Sequence, residues 1–294
     1  MEPIVSSDQL IEQATSIANA GRRKTVAVAA AQDADVIGAV ASARADGYIN
    51  GTLVGDEAEI RSLAEQNDVS LEGLTVIDET DVFKAAHKAV SLAAEGKADL
   101  VMKGFLPTSG LLKVVLDKQY GLRGHNTLSH CALLDIPGYH KMLNFTDGGM
   151  LVKPDASQKM QVLDNSLLVA SALGLEPPRV AVTQVHESDN FVEDARKQYG
   201  LAVIDGPLTL HEATRMDNGA GADIFLVDSI EEGNVVAKSL INFADAVFSG
   251  VIVGARIPVS LVSRTDSVKN KKSSLAIACV LADYYAQNNV WGEA

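Results

Sequence analysis

The sequence predicts an α/β protein made of two doubly wound α/β domains with a cleft between them. Three observations carry that prediction. Short runs rich in Val, Ile and Ala, such as TVAVAAA from Thr25 and GVIV from Gly250, alternate with longer segments of helical period. That alternation is the grammar of a parallel sheet covered on both faces by helices. It continues through the chain without a repeat of solenoid length or a low-complexity tract. Finally, a chain of 294 residues, 47% of them hydrophobic, buries one large core or two modest ones, and this size commonly divides into two lobes.

Taken in order, the periodicity predicts a helix from Asp8 to Ala20, a strand from Thr25 to Ala31, a helix from Asp35 to Asp46 and a strand from Asn50 to Val54. A helix from Ala58 to Gln66, a strand from Leu74 to Ile77, a helix from Val82 to Glu95 and a strand from Leu100 to Met102 complete the first half. The second half repeats the pattern. Strands are expected at Leu128–Leu134 and Met142–Thr146, then a helix from Ser157 to Leu173 that Gly174 closes. Strand Val180–Gln184, helix Phe191–Gln198 and strands Ala202–Ile204 and Ile224–Val227 follow. Helix Val235–Asn242, strands Phe248–Val253 and Pro258–Val262, and a last helix from Val268 to Gln287 finish the chain.

Composition excludes several function classes. No apolar run approaches the roughly 20 residues of a membrane span, and Met1 to Gln13 is acidic and polar, unlike a secretory leader. A soluble, cytoplasmic protein is expected. Cys131 and Cys279 are the only cysteines and form no CxxC pair, which fits a reducing compartment and argues against a disulfide framework or a thiolate metal site. A net charge of -13 repels nucleic acid and anionic membranes alike, so an anionic ligand has to find a local basic pocket.

The segment PVSLVSRTDSVKNKKSSLAIA, from Pro258 to Ala278, reads as a buried strand, a polar turn and a helix. Open α/β sheets bind ligands at such carboxyl strand ends. Ser263 and Arg264 stand where strand gives way to turn, and Asp266 or Ser267 is placed to cap the helix. The first helical amides then face an anion, and Arg264 adds a planar fork of donors matched to phosphate oxygens. Lys269, Lys271 and Lys272 form the evident basic cluster of an acidic chain, either a dock for cofactor phosphates or an ordinary solvated first turn. Asn270 lies in the same turn and cannot take a proton.

A second candidate, MKGFLPTSGLLKVVLDKQYGLRG from Met102, follows a short strand with Lys103, Gly104, Thr108 and Ser109 ahead of a helix. Gly104 and Gly110 permit close backbone approach and the amides after Thr108 suit an anion, although Walker spacing is absent and a structural turn fits equally. Asp147 in FTDGGM, Asp205 in DGPLTL and Asp228 in ADIFLVDSIEEGN each close a strand; they either line one cleft or serve as caps and turn formers. The histidines at 87, 125, 130, 140, 186 and 211 show no metal spacing, and neither GxGxxG nor GxSxG occurs.

Several long segments in order resemble the phosphate acetyl/butyryl transferase family, and more closely its phosphate butyryltransferase branch. They are VMKGFLPTSGLLKVVLDKQYGLR, LSHCALLDIPGYHKMLNFTDGGM, IDGPLTL, ADIFLVDSIEEGNVVAKSL and GVIVGARIPVSLVSRTDSVKNKKSSLAIA, spanning about Ala98 to Tyr285. The resemblance implies a fold like that of isocitrate and isopropylmalate dehydrogenases, with the active site between the domains and the C-terminal helix returning to the first. On that basis the domains are expected at 1–127 plus 264–294 and at 128–263. It also implies a homodimer or larger assembly, no required metal, and transfer of an acyl group between coenzyme A and inorganic phosphate. In the acetyl branch a Ser-Arg pair is followed, seven residues after the Ser, by an Asp proposed to deprotonate the thiol. Ser263 and Arg264 match the pair, but Asn270 stands at the Asp position, while Lys271 and Ser274 fit the butyryl branch.

These residues imply direct attack of phosphate on acyl-CoA in a ternary complex. Arg264 would hold phosphate, Ser263 would donate to the developing oxyanion and Lys271 would steady the departing thiolate, with Asn270 leaving the base unassigned. Lys103, Gly104, Thr108, Ser109, Asp147, Asp205, Asp228, Lys271 and Ser274 are the candidates for binding CoA and substrate. The alternatives are a non-catalytic CoA or acyl-CoA sensor and a decarboxylating dehydrogenase of the same architecture.

Overall fold

The computed structural model describes residues 2–184, 190–263 and 265–292. The strands, in chain order, are β1 (Lys24–Ala29), β2 (Ile49–Gly55), β3 (Leu74–Asp78), β4 (Leu100–Lys103), β5 (Ser129–Asp135), β6 (Leu143–Thr146), β7 (Arg179–Val182), β8 (Val203–Asp205), β9 (Ile224–Leu226), β10 (Val247–Val253) and β11 (Val259–Ser260). The chain separates into two compact units. The first comprises Asp8–His125 and Ser249–Ala294, the second Met1–Ser7 and Asn126–Phe248.

In the first unit the strands run in the order β3-β2-β1-β4-β11-β10. All neighbours from β3 to β11 are parallel, and β10 is antiparallel to β11. The chain winds outward from β1 to β3 and then crosses back to lay β4 on the other side of β1. The winding therefore reverses at β1 and β4, the place where open α/β sheets bind ligands. From Val26 to Ala29 β1 is completely buried, because strands pair on both its sides and helices cover both faces. Helix Val268–Asn288 packs against helix Ala34–Ala45, β11, β4 and β1, and its residues 273–282 are buried without a break.

The second unit orders its strands β5-β6-β9-β7-β8, with β5 antiparallel to β6 and the rest parallel. Its core stacks Phe145 on Phe225 at a ring separation of 4.6 Å, with Leu134, Leu143 and Phe248 around them. Polar side chains cap the helices: Asp33, Asp56, Asp81, Asp155, Ser229 and, as expected of one of two candidates, Ser267 each accept an amide from the first turn, an arrangement worth about 1 kcal/mol apiece.

The doubly wound α/β reading holds, with one correction. The sheets are mixed, because the connections 136–142 and 254–258 are shorter than the dozen or so residues that a parallel crossover needs. Helix Ile230–Phe243 also starts earlier than its apolar period suggests, since Ser229 caps it and Glu231 and Glu232 favour its positive end. Cys131 and Cys279 are free and buried. Among the described residues no helix is long and apolar enough to cross a membrane.

Candidate functional site

At the winding reversal of the first unit, Ala30, the residue after β1, has φ at 55°, a conformation that costs a non-glycine residue about 1–3 kcal/mol and persists only where surroundings enforce it. Here the next strand end enforces it. Gly104 donates its amide to the Ala29 carbonyl at 2.9 Å and Phe105 donates to Ala30 at 2.6 Å. A Cβ at position 104 would stand 2.1 Å from the Ala30 oxygen, so the close approach predicted at Gly104 is one strand end against another. Lys103 is buried, its ammonium folded over the loop to the carbonyls of Gly104 and Leu106 at 3.2 and 3.4 Å. Thr108 and Ser109 open helix Thr108–Val115 behind Pro107, which supplies no capping side chain. The first amides of that helix are thus left for water or an anion.

Beyond β11 the chain enters the Ser263 turn. The Ser263 amide donates to Asp266 Oδ2 at 2.6 Å, the Asp266 amide donates back to the Ser263 carbonyl at 3.2 Å, and Ser263 Oγ lies 3.1 Å from Thr265 Oγ1. Arg264 lies outside the described residues. Lys271, fully buried, donates its ammonium to the Asp266 carbonyl and lies 3.5 Å from Asp35 Oδ2. Lys272 pairs with Asp46, while Lys269 is exposed. The expected basic cluster is therefore dispersed, because residues two apart on a helix point some 200° from each other.

Asn270 is buried and its amide donates to Ser267 Oγ at 3.2 Å. Ser274 donates to the Asn270 carbonyl at 2.8 Å and accepts the Gly250 amide at 2.9 Å. Lys271 and Ser274 thus use their hydrogen-bonding groups inside the first unit, fixing the turn and the helix that carries it.

In the second unit the three aspartates all follow the carboxyl ends of parallel strands, and their fates differ. Asp205 meets Arg196 at 2.8 Å in a half-exposed pair, a surface contact worth little. Asp228 is joined to the buried Lys159. Sequence reasoning missed Lys159, although it falls in register with Val162, Leu163 and Ser166 on the buried stripe of helix Ala156–Ala172, where an unpaired lysine is untenable.

Asp147 is 3% exposed. Its Oδ1 accepts the amides of Gly149 and Met150 at 2.7 and 2.8 Å, the backbone of His130 and Leu151 also faces the carboxyl, and Oδ2 is shut off from solvent. Glycines make the room: a Cβ on Gly148 would stand 2.8 Å from the Gly233 backbone, and one on Gly149 would stand 2.8 Å from His130 Nδ1. Asp147 and Asp228 lie at the ends of the paired strands β6 and β9; Asp205 lies at β8, two strands further along.

Burial pushes the Asp147 carboxyl up from 3.8 to about 6, although the amides of Gly149, Met150, His130 and Leu151 pull the other way. The folded chain therefore holds this proton more tightly than the unfolded one. Its burden on stability is absent below pH 4, grows between about pH 4 and 6, and is constant above, at about 3 kcal/mol. Asp147→Asn is expected to stabilise the protein by about 1–3 kcal/mol at pH 8 and by almost nothing at pH 4. Denaturant midpoints at the two pH values check this.

His87 pairs with the Tyr120 hydroxyl at 2.8 Å and His125 packs against Trp291, while His186 lies outside the described residues. Among the described residues no group of three or more His, Cys, Asp or Glu is arranged to hold a metal.

Comparison with known proteins gives this geometry its context. The family model described as phosphate acetyl/butaryl transferase matches residues 79–279. The chain is 37% identical over 281 residues to the phosphate butyryltransferase of Clostridium acetobutylicum, covering 88% of this chain and 93% of the relative. It is 33% identical over 297 residues to the phosphate acetyltransferase of Thermotoga maritima, covering 94% and 99%. A branched-chain phosphotransacylase from Enterococcus faecalis superposes with a TM-score of 0.75 at 28% identity, covering 88% of this chain and 99% of that one. The fold alone extends to 4-hydroxythreonine-4-phosphate dehydrogenase from Klebsiella pneumoniae, at a TM-score of 0.58 and 14% identity, with 88% and 99% coverage. With the matched region enclosing the Lys103 loop, Asp147 and the Ser263 turn, the chain belongs to the phosphate acetyl/butaryl transferase family.

Proposed function

We propose that the protein is a phosphate acyltransferase that converts acyl-CoA and inorganic phosphate to acyl phosphate and CoA by direct transfer in a ternary complex. The observation that carries this reading is the family match across residues 79–279, which contains the latched Ser263 turn at the end of β11. Arg264 binds the attacking phosphate through its guanidinium fork. Ser263 Oγ donates to the thioester oxygen as it gains charge. Lys103 and the open amides at Thr108 and Ser109 steady the anionic ends of the substrates. Lys271 acts indirectly, by holding the turn.

Direct transfer, with no acyl-enzyme, is supported by the state of the thiols. Burial pushes Cys131 up to about 11 and Cys279 higher still, so neither offers a thiolate nucleophile at neutral pH. The names of the relatives, a phosphate butyryltransferase and a phosphate acetyltransferase, support short acyl chains as substrates. A cytoplasmic location and a homodimer or larger assembly complete the reading; the free, buried cysteines suit the former.

Purified protein given acetyl-, propionyl- and butyryl-CoA is expected to release CoA thiol only when phosphate is present, with acyl phosphate trapped as its hydroxamate. Thiol release indifferent to phosphate, or none with any acyl-CoA, overturns the assignment.

A further inference from the structure

Helix Ile230–Phe243 belongs to the second unit, yet only Gly233 and Ala237 of its residues are fully buried. Val236, Leu240 and Ile241 pack on the core of that unit and stay partly open. Val235, Ser239 and Phe243 follow one another every four residues, so they form a ridge along the helix. At about 100° per residue, Val235 points about 160° away from each of the two buried residues, which sends the ridge toward solvent. Val235 is 64% exposed and Phe243 88%.

No charged side chain interrupts the ridge between Val235 and Phe243. Lys238, on its flank, is held 5.9 Å from the centre of the Phe248 ring of the same unit. A chain with a net charge of -13 is repelled by its own copies over most of its surface, so copies meet where apolar contact takes the place of charge. A basic partner would seek acidic surface instead of a stripe without charge.

The ridge is also complementary to itself. A two-fold axis through Ser239 lays Val235 of one copy beside Phe243 of the other, and the reverse, as an isologous contact requires. Ridges of this spacing pack into one another at about −50°, with axes about 8–10 Å apart, and a small side chain at the crossing admits that approach. Glu231, which continues the ridge by one turn, then stands about 12 Å along the helix from the axis, where the two helices have diverged. A stable dimer buries about 800 Å² per partner, more than one ridge supplies. Leu208 and Met216, which stay partly open on the same core, and the half-exposed Leu210 widen it.

Resting on the homo-oligomer proposed above, we infer that helix Ile230–Phe243 is the centre of a two-fold interface between copies of this chain. Val235 and Phe243 are its reciprocal anchors and Ser239 lies on the axis.

Sedimentation of the full chain is expected to show a dimer or an even-numbered assembly built from it. Phe243→Glu and Val235→Glu are each expected to weaken self-association by about 30-fold or more, the scale of a lost interface anchor. Both side chains are exposed, so circular dichroism should not change. Ser239→Cys is expected to form a disulfide-linked dimer under mild oxidant. Helix axes about 8–10 Å apart bring facing Cα atoms to about 4–6 Å, within the span of a disulfide. Cys131 and Cys279 are buried and do not compete. Leu201→Cys, at a side chain 91% exposed and outside the ridge, is the control and should stay unlinked.

A dimer indifferent to both glutamates, or Ser239→Cys linking no faster than Leu201→Cys, overturns the interface while the homo-oligomer stands on another face. A wild type that is monomeric at every concentration overturns both, so the two failures are distinct. Should a glutamate variant not fold, the cross-link decides, and none of these measurements depends on acyl transfer.

Discussion

Arg264→Ala is expected to lower kcat by about 100- to 1,000-fold and to raise the KM for phosphate, with Ser263→Ala lowering kcat by a similar factor at little change in KM. The size of these effects rests on how the turn is held. Ser263 is tied through its amide to Asp266, Asp266 is tied through its carbonyl to the buried Lys271, and Ser267 caps the helix that follows. Donors held by such a frame do not have to be organised at the moment of reaction, so their removal is not offset by rearrangement. Arg264→Lys is expected to recover little, because an ammonium offers no bidentate fork. Steady-state kinetics with phosphate varied at saturating butyryl-CoA check all three. Wild-type turnover by Arg264→Ala at saturating phosphate would remove the guanidinium from the mechanism.

The order of elements was legible because periodicity is a local property. Strand Leu74–Asp78 and helices Val82–Ala94, Phe191–Gln198 and Val268–Asn288 fall within a residue or so of their expected limits. Their apolar stripes and bounding glycines are written in the chain itself. Strand pairing was not legible to the same degree. Nothing in GVIV or PVSLV states that β10 and β11 run antiparallel, or that β11 lies beside β4. Pairing is a non-local choice, and only the short connection at 254–258 hints at it.

The candidate site divides in the same way. The rule that ligand groups follow carboxyl strand ends is positional, and it led to Lys103, Asp147, Asp205, Asp228 and Ser263, each of which stands at such an end. Side-chain direction depends on partners distant in sequence. Lys271 reads as a basic residue on a first turn, yet it is fully buried against the Asp266 carbonyl, with Asp35 brought alongside by the β1 connection. The Asp228 partner, Lys159, lies 69 positions away, and only its register on a buried stripe could have betrayed it. Asp147 shows the reverse case. DGG reads as an ordinary turn, yet Asp147 is 3% exposed and the two glycines beside it pack on His130 and Gly233 of other elements.

Lys141→Ala is expected to cost about 3–5 kcal/mol of stability, the scale of a broken buried ion pair. Lys141 and Asp223 have side chains 9% and 3% exposed and meet at 2.7 Å, and the same ammonium donates to the Gly221 carbonyl at 2.7 Å. On its other oxygen Asp223 accepts the Arg179 amide at 2.7 Å, which joins the start of β7 to the approach to β9. Removing the lysine leaves the buried carboxylate to the more distant Arg179 guanidinium, 3.9 Å from its Oδ2, and leaves a carbonyl unsatisfied, and desolvation rather than lost attraction sets most of the cost. Asp223→Ala should cost at least as much, since it also orphans the Arg179 amide. Denaturant unfolding measures the loss, and hydrogen exchange should show reduced protection in β6, β7 and β9. A change below about 1 kcal/mol would mean that Asp223 finds water once its partner is gone. These replacements lie at the amino ends of the strands, opposite the edge that carries Asp147 and Asp228. Loss of stability in Lys141→Ala and its gain in Asp147→Asn above pH 6 therefore separate, within one unit, a buried carboxylate held by a cation from one held by amides.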